Sequence, residues 1–291
     1  MHAHLPNAHS LAGLLSKVTG TPALATIHSR YLSMRDFEVH KLTQTHIQVV
    51  AKTGYFHALS LGIPPRKLRF IANGVDTEIF CPTGKTAHLH SIIGIAPETP
   101  LVGYIGRLSP EKGPEVFVQV ASQVHEKLPD CHFVIVGEGP LREKLANDID
   151  TLGLRNHVHM AGLQNDIFRI YPSLDLVVST SYSEGMPLAV LEAMGSGLPV
   201  VATNVGGLID IVEAGYTGML NNAGDVAGIA HNVVSLMSDG FTRREMGKAA
   251  RKRVEENFDL NESVRLTSEL LLMLAHAECR GESNINAADF H

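Results

Sequence analysis

Apolar runs alternate with amphipathic stretches through most of the chain. Five short runs, LVGYIGRL, HFVIVGEG, VHMAG, LDLVVSTS and LPVVATN, are apolar at successive positions rather than at every second one. Continuous apolar runs of this length are typical of parallel strands that are covered on both faces. Helical stretches such as EVFVQVASQVHEKL stand between them. This order predicts a doubly wound α/β domain from Leu101 onward.

The first ninety-odd residues contain the same kinds of element in a shorter arrangement. PALATIHS and HIQVVAKT have the character of strands, and the opening MHAHLP is typical of the end of a strand. This section is shorter than the ~100–150 residues of a common compact domain. We therefore predict an α/β protein with two Rossmann-like, doubly wound domains, of which the N-terminal one is incomplete.

The Pro- and Gly-containing segment CPTGKTAHLHSIIGIAPETP is the expected linker. The predicted regions are a partial N-terminal domain at 1–95, a C-terminal domain at 96–258, and a helix with a polar tail at 259–291. An incomplete N-terminal sheet would leave the strand ATIHS without a neighbour on one side and would uncover Leu24 and Ile27. Because such an edge invites strand pairing, we expect self-association or a partner chain there.

Composition narrows the class of protein. A formal charge of −6 and a pI near 6.2 give no general attraction to nucleic acid, so we expect no nucleic-acid partner. The three cysteines, Cys81, Cys131 and Cys279, are far apart and suit a reducing compartment. No apolar run approaches the ~20 residues of a membrane span, and no signal-peptide pattern opens the chain. These features predict a cytoplasmic protein.

Two glutamates flank a predicted helix start in SEGMPLAVLEAMGSGLPVVAT. If Pro187 lies in the first helical turn, free main-chain amides surround that start and suit a phosphate group. Glu184 precedes the helix and Glu192 follows about one and a half turns later, so each can accept hydrogen bonds from a different part of an extended ligand. Vicinal hydroxyls of a ribose or a hexose fit this chemistry. Alternatively, both carboxylates favour the helix dipole or face water.

The segment GRLSPEKG directly follows the first strand of the second domain. Arg107 and Lys112 stand on either side of a tight turn, so both side chains can converge on one phosphate. A surface pair of cations near a turn is the simpler alternative.

The order of these segments is more specific than any one of them. GRLSPEKG, VGEGP and SEGMPLAVLEAMGSGLPVVAT occur in sequence, with ATIHS and FIANGVD upstream and VGGLIDIVEAGYTGML downstream. The chain resembles the retaining nucleotide-sugar glycosyltransferases of family 4, also called group 1, which have two Rossmann-like domains (the GT-B fold). This resemblance implies a hexosyltransferase of glycan biosynthesis that uses a nucleotide diphosphate sugar and needs neither a metal ion nor a bound cofactor.

The resemblance also implies a set of catalytic residues. Arg107 and Lys112 would bind the distal phosphate, Glu184 would contact the transferred sugar, and His28 would reach that sugar from the N-terminal domain. Glu192 would hold the ribose hydroxyls.

The main chain after Glu184 would meet the sugar and the phosphate. The residues implied are Gly185, Met186, Pro187 and Leu188. The acceptor would be an unidentified glycan, lipid or small molecule, and a lipid acceptor would bring the protein to a membrane surface as a peripheral protein.

The chain departs from the family pattern at its front. The Gly-rich loop that opens the family's N-terminal domain is missing, and Ile209-Asp210 stands where a Pro-Glu pair is usual. The second hypothesis is therefore a non-catalytic or partner-dependent fragment that binds a nucleotide sugar. A nicotinamide-dependent dehydrogenase is disfavoured, because GEGPLR and GYIGRL lack the full dinucleotide fingerprint.

Two apparent metal motifs are weak. Asp148 and Asp150 lie in a helical stretch, where residues two apart do not face one ligand. His2 and His4 share one face of a strand but have no carboxylate or thiol at ligand spacing. We expect no metal site.

Overall fold

The computed structural model describes residues 1–279, so most of the polar tail predicted at the C-terminus lies outside the described residues. The strands are β1 (His2–Ala3), β2 (Leu24–Ile27), β3 (His46–Val49), β4 (Leu68–Phe70), β5 (Leu101–Ile105), β6 (His132–Val136), β7 (Val158–Gly162), β8 (Leu176–Ser179), β9 (Val200–Thr203) and β10 (Gly218–Asn221). The helices are α1 (Pro6–Thr19), α2 (Met34–Thr43), α3 (Lys52–Ser60), α4 (His88–Ile93), α5 (Pro114–His125), α6 (Arg142–Thr151), α7 (Leu188–Gly195), α8 (Leu208–Ile211), α9 (Val226–Ser238), α10 (Gly240–Asn257) and α11 (Leu260–Cys279). Within residues 1–279, no helix is both long and apolar enough to cross a bilayer.

The chain forms two compact units. Unit 1 comprises Met1–Gly74, Glu184–Met186 and the chain from Leu260 onward, and unit 2 comprises Val75–Ser183 and Pro187–Asp259. Each unit is built on one parallel sheet, which confirms the predicted α/β class with two Rossmann-like sheets.

Unit 1 has a four-stranded sheet in the order β1-β2-β3-β4. The strand β2 pairs with β1 through His2 and Leu24, and with β3 through Leu24 and His46. Leu24 and Ile27 are 1% and 6% exposed. The expectation that β2 is an open edge with uncovered apolar residues is therefore wrong, because the short β1 takes the edge position instead.

One face of α1 presents a row of exposed apolar side chains. Leu11, Leu14, Leu15 and Val18 follow the spacing of one helix face and are 42–76% exposed. The opposite face is tied to α2 by buried polar contacts: the ring of His9 bonds Asp36 at 2.9 Å through Nδ1. Burial alone would raise the pKa of Asp36, but hydrogen bonds from His9 and Ser33 outweigh it and lower that pKa.

Residues 75–95 and helix α11 each belong to a different unit from the one that the sequence suggested. The guanidinium of Arg251 in α10 donates to the main-chain carbonyls of Thr77 and Phe80, at 2.9 and 2.5 Å, so residues 75–95 pack with unit 2. Helix α11 returns to unit 1, where Leu270 and Leu274 cluster with Leu24 and Ile71. Contacts across such long sequence separations place the boundary at Gly74 rather than at residue 95.

Unit 2 has a six-stranded sheet in the order β10-β9-β8-β5-β6-β7. From β5 the chain proceeds outward through β6 and β7, and then returns to the other side of β5 through β8. The fully buried Val102, Phe117, Phe133 and Val201 belong to its main core. In open parallel sheets, ligands bind at the carboxyl ends of the strands where the strand order reverses. In unit 2 that point lies between β5 and β8.

Histidines crowd the amino ends of β6 and β7. The Nδ1 of His132 lies 2.9 Å from the Nε2 of His159, and the rings of His125 and His157 are 4.0 Å apart. Burial, followed by the charges of His132 and His157, lowers the pKa of His159 to about 4. Burial and neighbouring histidines also lower the pKa of His132 and His157, while Asp130 acts against this shift at His132.

These shifts predict an acid-sensitive unit 2. Below the unfolded histidine pKa of about 6.5 the unfolded chain binds protons that the folded chain rejects, so the free energy of unfolding should fall as the pH decreases from about 6.5 toward 4. His159→Gln should recover about 1–2 kcal/mol of this loss at pH 5. The measurement is urea unfolding at pH 7.5 and pH 5, with the exposed His88→Gln as control. An equal pH dependence in all three proteins would refute the assignment.

Candidate functional site

The loop from Gly106 to Gly113, which follows β5, is held by main-chain contacts with its neighbours. Gly106 N donates to Val136 O at 3.0 Å, and Leu108 N donates to Glu138 O at 3.0 Å. A Cβ on Gly137 would lie 1.9 Å from the carbonyl of Gly106. The loops after β5 and β6 therefore meet with no room for a side chain between them.

Arg107 and Lys112 lie on this loop, as predicted. The hydroxyl of Tyr104 is 3.2 Å from the carbonyl of Arg107 and 3.4 Å from that of Lys112, so one phenol is within hydrogen-bond reach of both ends of the turn. The guanidinium of Arg107 is exposed, and the Lys112 side chain is half-buried. Tyr104 was not among the predicted site residues, because its apolar surroundings in LVGYIG suggest only a strand.

The segment after β8 packs against the same loop. Thr180 Oγ1 donates to Gly113 O at 2.7 Å, and Tyr182 N donates to Glu111 O at 2.9 Å. Gly113 has a φ of 59°, and a Cβ there would lie 2.4 Å from Thr180 O. A hydrogen bond from Ser109 is the main cause that lowers the pKa of Glu111, and Arg107 and Lys112 lower it further.

Helix α7 starts one residue later than the sequence analysis assumed. Pro187 has extended backbone angles (φ −74°, ψ 118°) and occupies the N-cap position, and the helix runs from Leu188. The prediction that Pro187 lies in the first helical turn is therefore wrong by one position. The Leu188 amide still belongs to the first turn, whose N–H groups have no partner within the helix.

Glu192 is positioned by a buried tyrosine. The hydroxyl of Tyr171 donates to Glu192 Oε2 at 2.7 Å, and Tyr171 is fully buried. Burial raises the pKa of Glu192, and the Tyr171 hydrogen bond offsets part of that shift. Among the described residues, Oε1 of Glu192 has no hydrogen-bond partner, so this oxygen can accept hydroxyl groups of a ligand. Sequence reasoning missed Tyr171, because twenty-one residues separate it from Glu192.

Glu184, Gly185 and Met186 belong to unit 1. Glu184 is 7% exposed. A Cβ on Gly185 would lie 1.9 Å from the carbonyl of His28, so this glycine permits a close approach of two main chains. Asn73 Nδ2 donates to Met186 O at 3.1 Å. Three of the predicted residues, Glu184, Gly185 and His28, therefore lie in one part of unit 1.

His28 follows β2 and pairs with a second histidine. Its Nε2 lies 3.1 Å from Nδ1 of His4, and the two rings stack with centroids 5.4 Å apart. Burial, followed by the charge of His4, lowers the pKa of His28. A cavity of about 170 Å³ adjoins this pair and is also lined by Thr26 and the buried His9. In the sequence His4 suggested only a weak metal motif, and the structure identifies it as the partner of His28.

The weak metal motifs stay unsupported. Asp148 and Asp150 lie in α6, and they pair with different cations, Lys144 and Arg155. Within the described part of the chain, no group of three or more His, Cys, Asp or Glu side chains is placed to hold a metal ion.

Comparisons with known proteins agree with the fold. The 27%-identical UDP-Gal:alpha-D-GlcNAc-diphosphoundecaprenol alpha-1,3-galactosyltransferase of Escherichia coli aligns over 94% of this chain and 74% of its own length. Sulfoquinovosyl transferase SQD2 of Arabidopsis thaliana is 37% identical over 65% of this chain, a segment that spans only 37% of the plant protein.

Among solved structures, Anabaena HepE in complex with UDP-glucose superposes with a TM-score of 0.84 at 23% identity, over 94% of this chain and 78% of HepE. This likeness supports the fold. The family model for glycosyl transferases group 1 matches residues 86–253, which is more than half of the chain and includes Arg107, Lys112, Glu184 and Glu192. The chain belongs to the group 1 glycosyl transferases.

Proposed function

We propose that this chain transfers a hexose from a uridine diphosphate sugar to an acceptor hydroxyl, with retention at the anomeric carbon and without a metal ion. Two observations in unit 2 support the proposal: the Arg107–Lys112 turn follows β5, at the strand-order reversal, and the hydroxyl of Tyr171 holds the carboxylate of Glu192. The names of the E. coli relative and of the HepE complex support uridine diphosphate as the nucleotide part.

The nucleotide part of the donor is assigned to unit 2. Arg107 and Lys112 supply two positive charges for the diphosphate, and the planar guanidinium can bind two phosphate oxygens at once. Oε1 of Glu192 accepts hydrogen bonds from the ribose hydroxyls, and the raised pKa of this carboxyl makes it a stronger acceptor. The main-chain N–H groups at the start of α7, beginning with Leu188, add partial positive charge near the phosphates.

The transferred sugar is assigned to Glu184, to the main chain of Gly185–Leu188, and to His28. The burial of Glu184 and the tight approach of Gly185 to His28 hold these groups in fixed positions, which is what sugar recognition requires. With a lowered pKa, His28 is neutral at pH 7 and offers one donor and one acceptor to sugar hydroxyls.

The proposed reaction breaks the bond between the anomeric carbon and the distal phosphate oxygen. Negative charge then grows on the leaving diphosphate, where Arg107, Lys112 and the start of α7 stabilise it. The acceptor oxygen bonds to the anomeric carbon on the same face, and its proton passes to the departing phosphate. The products are the glycosylated acceptor and the nucleoside diphosphate. The acceptor is a glycan, a lipid or a small molecule.

A second candidate is a nucleotide-sugar-binding chain that requires a partner for turnover. The exposed apolar side chains of α1 favour it, because such a surface commonly marks an interaction site. Binding of UDP without transfer by the isolated chain, together with transfer restored by a partner, would establish this alternative.

If Glu192 binds the ribose, its substitution should lower the affinities for UDP and for UDP-glucose by the same factor. Glu192→Ala should weaken UDP and UDP-glucose alike, by at least tenfold, because both carry the ribose. Tyr171→Phe should weaken both by a smaller factor, since the carboxylate remains but loses its fixed orientation. Calorimetric titration measures the affinities, with the exposed Tyr216→Phe as the matched control. Unchanged UDP affinity in Glu192→Ala would rule the assignment out.

If Glu184 contacts the transferred sugar, its substitution should lower the affinity for the UDP-sugar more than the affinity for UDP. Glu184→Gln should weaken UDP-glucose, or whichever UDP-sugar binds best in a panel, at least fivefold more than it weakens UDP. The reason is that free UDP lacks the group that Glu184 contacts. The same titrations test this, and the comparison is sound only if circular dichroism shows that the variant is folded. Equal losses for both ligands would contradict it.

The phosphate assignment predicts a kinetic effect. Lys112→Ala should lower turnover at least tenfold, about 1.4 kcal/mol of barrier, while the exposed Lys127→Ala should leave it unchanged. The losses of turnover in Arg107→Ala and Lys112→Ala should not add in the double variant, because both groups act on one diphosphate.

The proposed mechanism also predicts activity without a metal ion, so EDTA should change the wild-type rate by less than twofold. Activity that disappears in EDTA and returns with magnesium would overturn the metal-free mechanism.

A further inference from the structure

A cleft of about 590 Å³ lies in unit 2, at the amino ends of β8 and β9. Asp175 directly precedes β8 and Pro199 directly precedes β9, whereas the donor-site residues follow the carboxyl ends of the strands. We call this space the amino-end cleft. Its volume is in the range of pockets that hold small organic molecules, about 300–1,000 Å³.

The amino-end cleft has an apolar floor. Leu174 is 3% exposed, and Leu198 and Pro199 are at least half-buried beside it. Pro82 and Pro172 complete the apolar lining. A bound molecule can therefore bury an apolar part on this floor.

Positive charge exceeds negative charge along the rim. Within residues 1–279, the lining contains one carboxylate, Asp175, and five cationic side chains: Lys85, Arg243, Arg244, Lys248 and Arg251. Arg244, Lys248 and Arg251 follow one another at intervals of four and three residues, so they share one face of α10. In a chain with a net charge of −6, this concentration of cations is a local feature.

Some of these charges already have partners within the fold. Asp175 accepts from Lys85 at 2.8 Å and from the main-chain amide of Leu101 at 2.9 Å, so its charge is compensated. Arg243 donates to the carbonyls of Leu236 and Met237, and Arg251 donates to main-chain carbonyls, as described above.

Arg244 and Lys248 remain for a ligand. The Arg244 side chain is exposed, and its guanidinium makes no hydrogen bond or ion pair with the residues that the structure describes. Lys248 contacts Glu245 at 2.7 Å, but its side chain is 74% exposed and such a surface pair is weak. One turn of helix separates the two cations, which suits a single doubly charged group.

We propose that the amino-end cleft binds a small organic phosphate ester. The apolar part of the ester lies on the floor formed by Leu174, Leu198 and Pro199, and the phosphate binds Arg244 and Lys248 at the rim. A phosphate ester fits better than a carboxylate, because it offers two charges and three oxygens to an arginine fork and a neighbouring ammonium group. This site is separate from the donor site and does not depend on the proposed reaction.

Calorimetric titration with naphthyl phosphate tests the proposal, with naphthol and inorganic phosphate as separate probes. Naphthyl phosphate should bind at least tenfold more tightly than either probe, since only it engages both floor and rim. Binding of inorganic phosphate with equal affinity would reduce the site to an adventitious ion only and overturn the proposal.

Variants locate the binding. Arg244→Gln should weaken naphthyl phosphate at least tenfold, whereas Lys252→Gln, one turn beyond Lys248 on α10, should change it less than twofold. Circular dichroism checks that each variant is folded. Equal losses of naphthyl phosphate affinity in both variants would show a general charge effect. A loss of affinity in Lys112→Ala but not in Arg244→Gln would place the probe in the donor site. Either result refutes the proposal.

A lipid headgroup is the other source of a phosphate ester. Cosedimentation with phosphatidylcholine vesicles that contain phosphatidylglycerol separates the two sources. We expect no vesicle binding that depends on Arg244. Vesicle binding that Arg244→Gln abolishes, in a protein that does not bind naphthyl phosphate, would overturn the small-molecule site.

Discussion

The close approach of three main-chain segments at the carboxyl ends of β5, β6 and β8 is the constraint on which the candidate donor site depends. Gly137 meets the carbonyl of Gly106, and Gly113 meets the carbonyl of Thr180, at distances that leave no room for a Cβ. Because these contacts are between main chains, they hold the turn that bears Arg107 and Lys112 without using either functional side chain. The main chain therefore fixes the position of the turn, which is what a preorganised site requires.

The strands of unit 2 were predictable from sequence, because a strand that is buried on both faces needs apolar side chains at successive positions. Every such run from LVGYIG to LPVVAT is a strand of unit 2. The same reasoning failed at β2, which is central rather than at the edge. The opening MHAHLP indicated the end of a strand, but it did not show that this strand pairs with the first two residues of β2.

The missed residues have a common physical reason. Tyr104 and Tyr171 act through their hydroxyl groups on partners that only the folded chain brings near, and in sequence both look like ordinary core aromatics. Likewise, Leu270 and Leu274 of α11 complete a core with Leu24, nearly the whole length of the chain away. Apolar periodicity shows that such a face is buried, but it does not show which sheet buries it. The expected boundary at residue 95 shifted for this reason.

Helix polarity explains why the two ends of the unit 2 sheet differ. In a parallel α/β unit, helices begin near the carboxyl ends of the strands and end near their amino ends, so the amino ends gather carbonyl groups that have no helical partner. Arginines of α10 satisfy these groups: Arg243 donates to carbonyls at the end of α9, Arg251 to Gly195 at the end of α7, and Arg253 to Ile211 at the end of α8. Three of the six cationic side chains of α10 therefore serve the fold in this way. Among the described residues, Arg244 makes no such contact, so helix capping leaves its guanidinium to the phosphate ester proposed for the amino-end cleft.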